Sequence, residues 1–340
     1  MTLSHLKTSD FDYHLPQELI AQHPSDKRDS SRLMVIDRRS GKIEHRIFDQ
    51  VTSYFDKEDL LVLNDTKVIP ARLYGTKYGG SASIEVLLDK KIDERSWEAL
   101  IRPAKRLDIG GIISFGKGFY AEVRDKLEDG KAVLYFASIK GFDKELESHG
   151  NIPLPPYIKV DSSRLAAYGR RYQTVYARRQ GATAAPTAGL HFTKGLLKKI
   201  RAQKTYVTLH TGYGTFAPVR TERITDHKMH SEQYEISEEA IKAVRAAKAG
   251  GGRVIAVGTT SARLLESASE AGKGITDLFI YPGYKFKTVD TLITNFHLPK
   301  STLMMLVSAF AGIDLIRKAY TEAIKERYRF FSFGDAMLIK

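Results

Sequence analysis

Residues 253–267 read Arg-Val-Ile-Ala-Val-Gly-Thr-Thr-Ser-Ala-Arg-Leu-Leu-Glu-Ser. The unbroken apolar run predicts a short buried strand over Arg253–Val257. Gly258 supplies a turn, and the residues after it return to a helical period, predicting a helix over Ser261–Ser269. A buried strand, a glycine turn and a helix start form one unit of an α/β sheet, and in open sheets of that kind ligands sit beyond the carboxyl ends of the strands.

The pattern extends in both directions. The sequence predicts a helix at Thr193–Ala202, a strand at Tyr206–His210, and a helix at Glu238–Ala249 capped by Ser237 and ended by Gly250-Gly251-Gly252. Further on come a strand at Asp277–Tyr281, helices at Thr302–Ala311 and Asp314–Tyr328, and a strand-like end at Arg329–Ile339. Upstream, Phe11–Ile20 holds Leu15, Leu19 and Ile20 with Pro16 as the first helical residue, and Leu33–Asp37 and Leu60–Leu63 read as buried strands.

Between Lys67 and Ser148 the character changes. Ala71–Gly75, Ser83–Leu88, Trp97–Arg102, Ile112–Phe115, Ala121–Arg124 and Val133–Phe136 alternate and are split by glycine turns. That spacing predicts a small antiparallel β-barrel. After Pro153-Leu154-Pro155-Pro156 the α/β period resumes and needs the N-terminal strands to complete its sheet. The expected fold is therefore an α/β (α+β) main domain with a mixed or barrel-like sheet, residues 1–66 and 150–340, carrying an inserted barrel at 67–149.

The chain has 340 residues, enough for about two domains, and 42% of them are hydrophobic. It has no cysteine, which excludes disulfides, a thiol nucleophile and Cys-ligated metal, and fits a reducing cytosol. Met1–Asp10 lacks the apolar core of a signal peptide, and the longest apolar stretch, Leu303–Gly312, is too short to span a bilayer. A cytoplasmic protein is expected. The net charge is +13. From Lys159 to Lys204 the only acid is Asp161, against many bases including Arg164, Arg170, Arg171, Arg178 and Arg179. A solvated face normally mixes signs, so this stretch points to a polyanionic partner.

Polar residues gather where apolar runs end. Thr259, Thr260 and Ser261 open a helix whose free N–H groups suit an anion, although one hydroxyl would suffice for capping. No G-x-G-x-x-G and no P-loop Lys is present. His210 precedes Gly212 and Gly214, His191 follows Gly189, and His297 lies in Asn295-Phe296-His297-Leu298-Pro299. Each alone reads as a hydrogen-bonded structural residue; together they offer a general acid or base. His227 and His230 have a spacing that could hold a metal with Asp226 or Glu232, but no third ligand has a telling spacing. Asp65 reads as a turn former or an acid–base group. Arg102, Lys105 and Arg106 put bases beside a barrel strand, where small barrels bind oligonucleotides.

Several long motifs, taken in order, resemble one family. They are LVLNDTKVIPARL (61–73), PLPPYI (153–158), YQTVYA (172–177), AAPTAGLHF (184–192), GTFAPV (214–219), VGTTSARLLES (257–267), FIYPGY (279–284), LITNFHLPKSTLMMLVSAFAG (292–312) and YRFFSFGDAML (328–338). The chain is similar from about Asp10 onward to the S-adenosylmethionine:tRNA ribosyltransferase-isomerases of queuosine biosynthesis. It departs from them at Tyr168, where an acid is usual, at Asn151 for His, and at Thr211 for Val.

The resemblance implies transfer, with isomerisation, of the ribosyl part of S-adenosylmethionine to 7-aminomethyl-7-deazaguanine at the tRNA wobble position. It implies epoxyqueuosine-tRNA, adenine and methionine as products. S-adenosylmethionine is then a consumed co-substrate, no cofactor or metal is needed, and a monomer is expected. His191, His210 and His297 would surround the sulfonium–sugar centre, with Asp277 as a further acid. Tyr172, Gln173, Thr187, Tyr281 and Asn295 would contact substrate, and Thr259, Thr260 and Ser261 would hold the methionine carboxylate or ribose. Glu266, well inside its helix, reads as structural. Arg102, Lys105, Arg170, Arg171, Arg178 and Arg179 would grip tRNA phosphates. Three other readings remain at this level: an RNA-binding module without catalysis, a metal-dependent hydrolase on His227 and His230, and a methyltransferase.

Overall fold

The computed structural model describes residues 6–212, 214 and 219–340. The strands in chain order are β1 (Arg32–Ile36), β2 (Ile43–Ile47), β3 (Leu60–Asn64), β4 (Thr66–Val68), β5 (Arg72–Lys77), β6 (Ser83–Lys91), β7 (Ser96–Arg102), β8 (Ile112–Gly116), β9 (Phe119–Lys126) and β10 (Lys131–Ser138). They continue with β11 (Arg179–Ala182), β12 (Gln203–Leu209), β13 (Glu232–Ile236), β14 (Val254–Val257), β15 (Gly272–Thr276), β16 (Thr291–Asn295) and β17 (Ala336–Ile339). The helices are α1 (Phe142–His149), α2 (Leu165–Arg171), α3 (Lys194–Lys199), α4 (Glu238–Ala249), α5 (Thr259–Ser267), α6 (Thr302–Ala311) and α7 (Ile313–Lys325).

A nine-stranded mixed sheet runs in the order β15-β13-β12-β3-β14-β16-β17-β1-β2, and β5 to β10 close into a six-stranded antiparallel barrel. Both match the expected class. The strands β12, β3, β14 and β16 are mutually parallel. Their carboxyl ends therefore share one edge. The strand β17 is antiparallel to β16, and β1 is parallel to β17, so the residues just before β1 and β17 arrive at that same edge.

Both faces of the sheet are covered, which explains its apolar strands. Leu60 and Val62 of β3 pack on one side with Leu264 of α5, Val307 of α6 and Ile316 of α7. Leu61 and Leu63, one residue out of phase, pack on the other side with Phe48, Phe192 and Leu196. Each such side chain, fully buried, contributes about 1.5–3 kcal/mol. The barrel has its own core, into which Trp97, Ala99 and Ile101 of β7 point by strict alternation.

The helices α4 and α6 have the predicted bounds, each capped by a serine: Ser237 Oγ accepts from Ala240 N and Ser301 Oγ from Met304 N. Other boundaries differ. Phe11–Ile20 is not one helix but two short 3-10 turns, Thr8–Phe11 and Gln17–Leu19, because Pro16 holds an extended ψ of 131°. The strand expected at Asp277–Tyr281 lies earlier, at β15, where Gly274 lets the Tyr234 ring cross the backbone; a Cβ there would lie 2.5 Å from that ring. The final strand begins only at Ala336, since the carboxylate of Asp335 ties down the preceding loop by accepting from Arg329 N and Arg32 N. Gly258 has φ +90°, a turn no side chain adopts without strain, and α5 starts immediately after it.

Candidate active site

A cleft opens at the shared strand edge. It is lined by Ala185–Ala188, Thr211, Gly258–Thr260, Thr294–Leu298, Ser301, Leu303, Phe331, Ser332 and Tyr157. Thr187, Thr259, Thr260, Asn295 and His297 all reach it. The side chain of Asn64, at the end of β3, organises its floor. Its Oδ1 accepts from Leu209 N at 3.1 Å and Thr66 N at 3.2 Å, and its Nδ2 donates to Leu209 O at 3.0 Å and Thr260 Oγ1 at 3.1 Å. One amide thus joins β3, β12 and the first turn of α5. Ser261 does not reach the cleft; its hydroxyl donates to Val257 O inside the sheet.

His297 is held from both ends. Its N–H donates to Tyr320 Oη at 2.9 Å, its carbonyl accepts from Tyr13 Oη, and its Nε2 lies 3.0 Å from Thr294 Oγ1. Burial depresses its pKa to about 3. Asn295 donates to Phe331 O at 2.9 Å, while its Oδ1 is buried without a partner.

The three histidines do not line one cavity. His191 lies behind the cleft, stacked on Phe48 at 4.9 Å, with Nδ1 2.7 Å from Ser31 Oγ. Its Nε2 is buried and unpartnered. Burial lowers its pKa to about 4, opposed by Asp335 and by the amide of Asn295. It lines a small separate cavity with Ser25, Arg28, Arg171 and Phe333. His210 faces a second cleft between the main sheet and the barrel, shared with Asp89, Trp97 and Lys131. Its Nδ1 lies 2.8 Å from Thr66 Oγ1, and burial lowers its pKa against the opposing field of Asp65 and Glu235. Gly181, at φ +147°, lies flat on its ring; a Cβ would come within 2.9 Å.

The remaining residues singled out in the sequence sit elsewhere. Tyr172 is buried beneath the cleft beside Phe333. Gln173 clamps the backbone of Val68 through both amide atoms. Tyr281 packs against Phe279, and Asp277 is exposed after β15. Glu266 accepts from the N–H groups of Lys287, Thr288 and Val289 and from Tyr284 Oη, a purely structural set. Tyr213 and Thr215–Pro218, most of the GTFAPV motif, lie outside the described residues.

Of the basic set, Arg102, Lys105 and Arg170 are exposed. Arg171 donates to the carbonyls of Ser25 and Asp26, and Arg179 pairs with Glu235 at 3.3 Å. Arg178 donates to buried Asp65 through Nε at 3.1 Å and Nη2 at 3.0 Å and lies over Tyr206. Asp65 also accepts from Thr208 Oγ1 at 2.6 Å, so it is an anchor for β11 rather than a simple turn former. His227 and His230 lie in extended chain before β13, not on a helix face. Among the described residues no three His, Cys, Asp or Glu side chains converge for a metal.

Sequence reasoning passed over Asn64, Ser31, Asp335 and the Arg263–Glu232 pair. The only local signal for them was position: each sits at a strand end or one turn into α5.

Residues 8–339 match the family model described as queuosine biosynthesis protein. The chain is 54% identical to the S-adenosylmethionine:tRNA ribosyltransferase-isomerase of Halothermothrix orenii and 53% identical to that of Clostridioides difficile, in each case over 98% of this chain and the whole of the relative. It also resembles the crystal structure of S-adenosylmethionine tRNA ribosyltransferase from Thermotoga maritima, with 40% identity, a TM-score of 0.55 and coverage of 98% of this chain and 100% of that one. With agreement this extensive in sequence and in the ordered fold that sets the cleft, the chain belongs to the queuosine biosynthesis protein family.

Proposed function

We propose that this protein is an S-adenosylmethionine:tRNA ribosyltransferase-isomerase. It moves the ribosyl part of S-adenosylmethionine, with isomerisation, onto 7-aminomethyl-7-deazaguanine at the wobble position of tRNA. Epoxyqueuosine-tRNA, adenine and methionine result. The observation that carries this reading is the cleft at the common strand edge, in a chain of this family. It gathers hydroxyls from Thr187, Thr259 and Thr260, the amide of Asn295 and a neutral His297 around one cleft.

The chemistry needs a base for a C5′ proton, which the sulfonium acidifies, and a donor for departing adenine. His297 is neutral at pH 7, so its imidazole has a lone pair free to accept the C5′ proton, although a pKa of about 3 makes it a weaker base than a histidine poised near neutrality. S-adenosylmethionine is consumed as co-substrate, and the reading calls on no metal.

Residues 67–149 form an inserted module in this reading, with 1–66 and 150–340 as the catalytic part. The tRNA would lie against Arg102, Lys105 and Arg170, with Arg171, Arg178 and Arg179 supporting that surface. The reading includes a cytoplasmic monomer. No helix among the described residues is long and apolar enough to cross a membrane.

The test is a product assay with S-adenosylmethionine and tRNA carrying 7-aminomethyl-7-deazaguanine. Adenine and methionine should appear in step with modified tRNA. S-adenosylhomocysteine without adenine would mean methyl transfer instead.

A further inference from the structure

A third cleft adjoins the first across Leu303, which lines both. Its wall contains Arg263, one turn further along α5 than Thr259. The Arg263 side chain is 6% exposed. Its Nη1 donates to Glu232 and its Nε to Leu278 O at 3.0 Å. Its Nη2 is buried and meets no acceptor. A buried guanidinium N–H left bare is costly, since it has lost water and gained nothing in return. The two bonds it does make fix the plane of the guanidinium, so the direction of the bare Nη2 is set in advance.

The surroundings state the chemistry of the missing acceptor. Arg220, His227 and His230 line the same cleft. Its two acids are already engaged, Glu232 with Arg263 and Asp129 of the barrel with Arg220 at 3.5 Å. The cleft thus offers donors and positive charge to a small anion. In the ribosyl-transfer reading, on which this inference rests, the sugar and sulfonium occupy the first cleft. The sulfonium carries a three-carbon chain ending in an α-carboxylate.

We propose that Arg263 binds the α-carboxylate of S-adenosylmethionine, with the methionine chain running past Leu303 from the first cleft into this third one. Glu232 is the residue that orients it. The role first read for Thr259, Thr260 and Ser261 then narrows to the ribose side, consistent with Ser261 being turned into the sheet.

The test compares S-adenosylmethionine with its analogue lacking the α-carboxylate, each with substrate tRNA, by kcat/KM for adenine release. The wild type should prefer S-adenosylmethionine by about tenfold to a hundredfold, as for a charge-assisted hydrogen bond. In the double variant Arg263→Gln, Glu232→Gln, which leaves no buried charge unpaired, the preference should fall to about one. Arg263→Lys keeps the charge beside Glu232 and serves if the double variant does not fold; its preference should drop severalfold. An unchanged preference in a folded variant would overturn the proposal, as would a wild type that uses both compounds equally. A wild type that releases adenine from neither compound would remove the ribosyl-transfer reading and this inference with it.

Discussion

His297 and His191 are buried and depressed to about 3 and about 4. Both are therefore neutral in the folded protein at pH 7, while in the unfolded chain they would titrate near 6.5. As pH falls through 6.5 the unfolded state takes up protons that the folded state refuses, so stability declines from there down towards the folded values. Each should withdraw about 2 kcal/mol between pH 7 and pH 5. Thermal unfolding at the two pH values checks this: His191→Gln and His297→Gln should each show a smaller loss of Tm than the wild type, and an equal loss would refute the burial argument. Turnover of His297→Ala should fall by about a hundredfold or more while tRNA binding persists. The histidines themselves were legible as turn-end residues. Their partners were not, because Ser31 lies 160 positions from His191 and Thr66 lies 144 from His210, and nothing local announces such a pair.

Among the elements, the central strands could be read because burial on both faces leaves a plain apolar run, as in Val254–Val257. The capped helices were equally legible. The outer part of the sheet was not: Glu232–Ile236 carries two glutamates and a glutamine, and it is a strand because β12 and β15 pair with it from either side. Tertiary pairing overrides weak propensity there. The join most exposed to test is Asn64. Asn64→Ala strips partners from the buried N–H groups of Leu209 and Thr66, each costing about 1–3 kcal/mol when unsatisfied. A Tm drop accompanied by loss of activity is expected. Asn64→Asp keeps the accepting oxygen but turns a second acceptor towards the Leu209 carbonyl, so it should recover only part of the stability. A neutral Asn64→Ala would show that the amide does not hold the edge together.

For the whole molecule, an α/β sheet together with a small antiparallel barrel was visible in the spacing of the strands. What charge could not show is which bases are available. Arg171, Arg178 and Arg179 are tied to protein acceptors, the last two while still 62% and 57% exposed, and Arg102, Lys105 and Arg170 are exposed as well. Replacing the latter three together with Ala should weaken tRNA binding and lower the salt slope by about 2–3, while the same substitutions leave S-adenosylmethionine binding unaltered. An unchanged slope would place the tRNA on another face.

Ribosyl transfer itself is best followed through the sugar. S-adenosylmethionine labelled in its ribose carbons would be incubated with the protein and tRNA bearing 7-aminomethyl-7-deazaguanine, and the anticodon nucleosides then separated. One labelled pentose unit should enter the wobble nucleoside for each adenine released. Label that stays with adenine in a nucleoside product, with none in tRNA, would contradict the assignment of this cleft to ribosyl transfer.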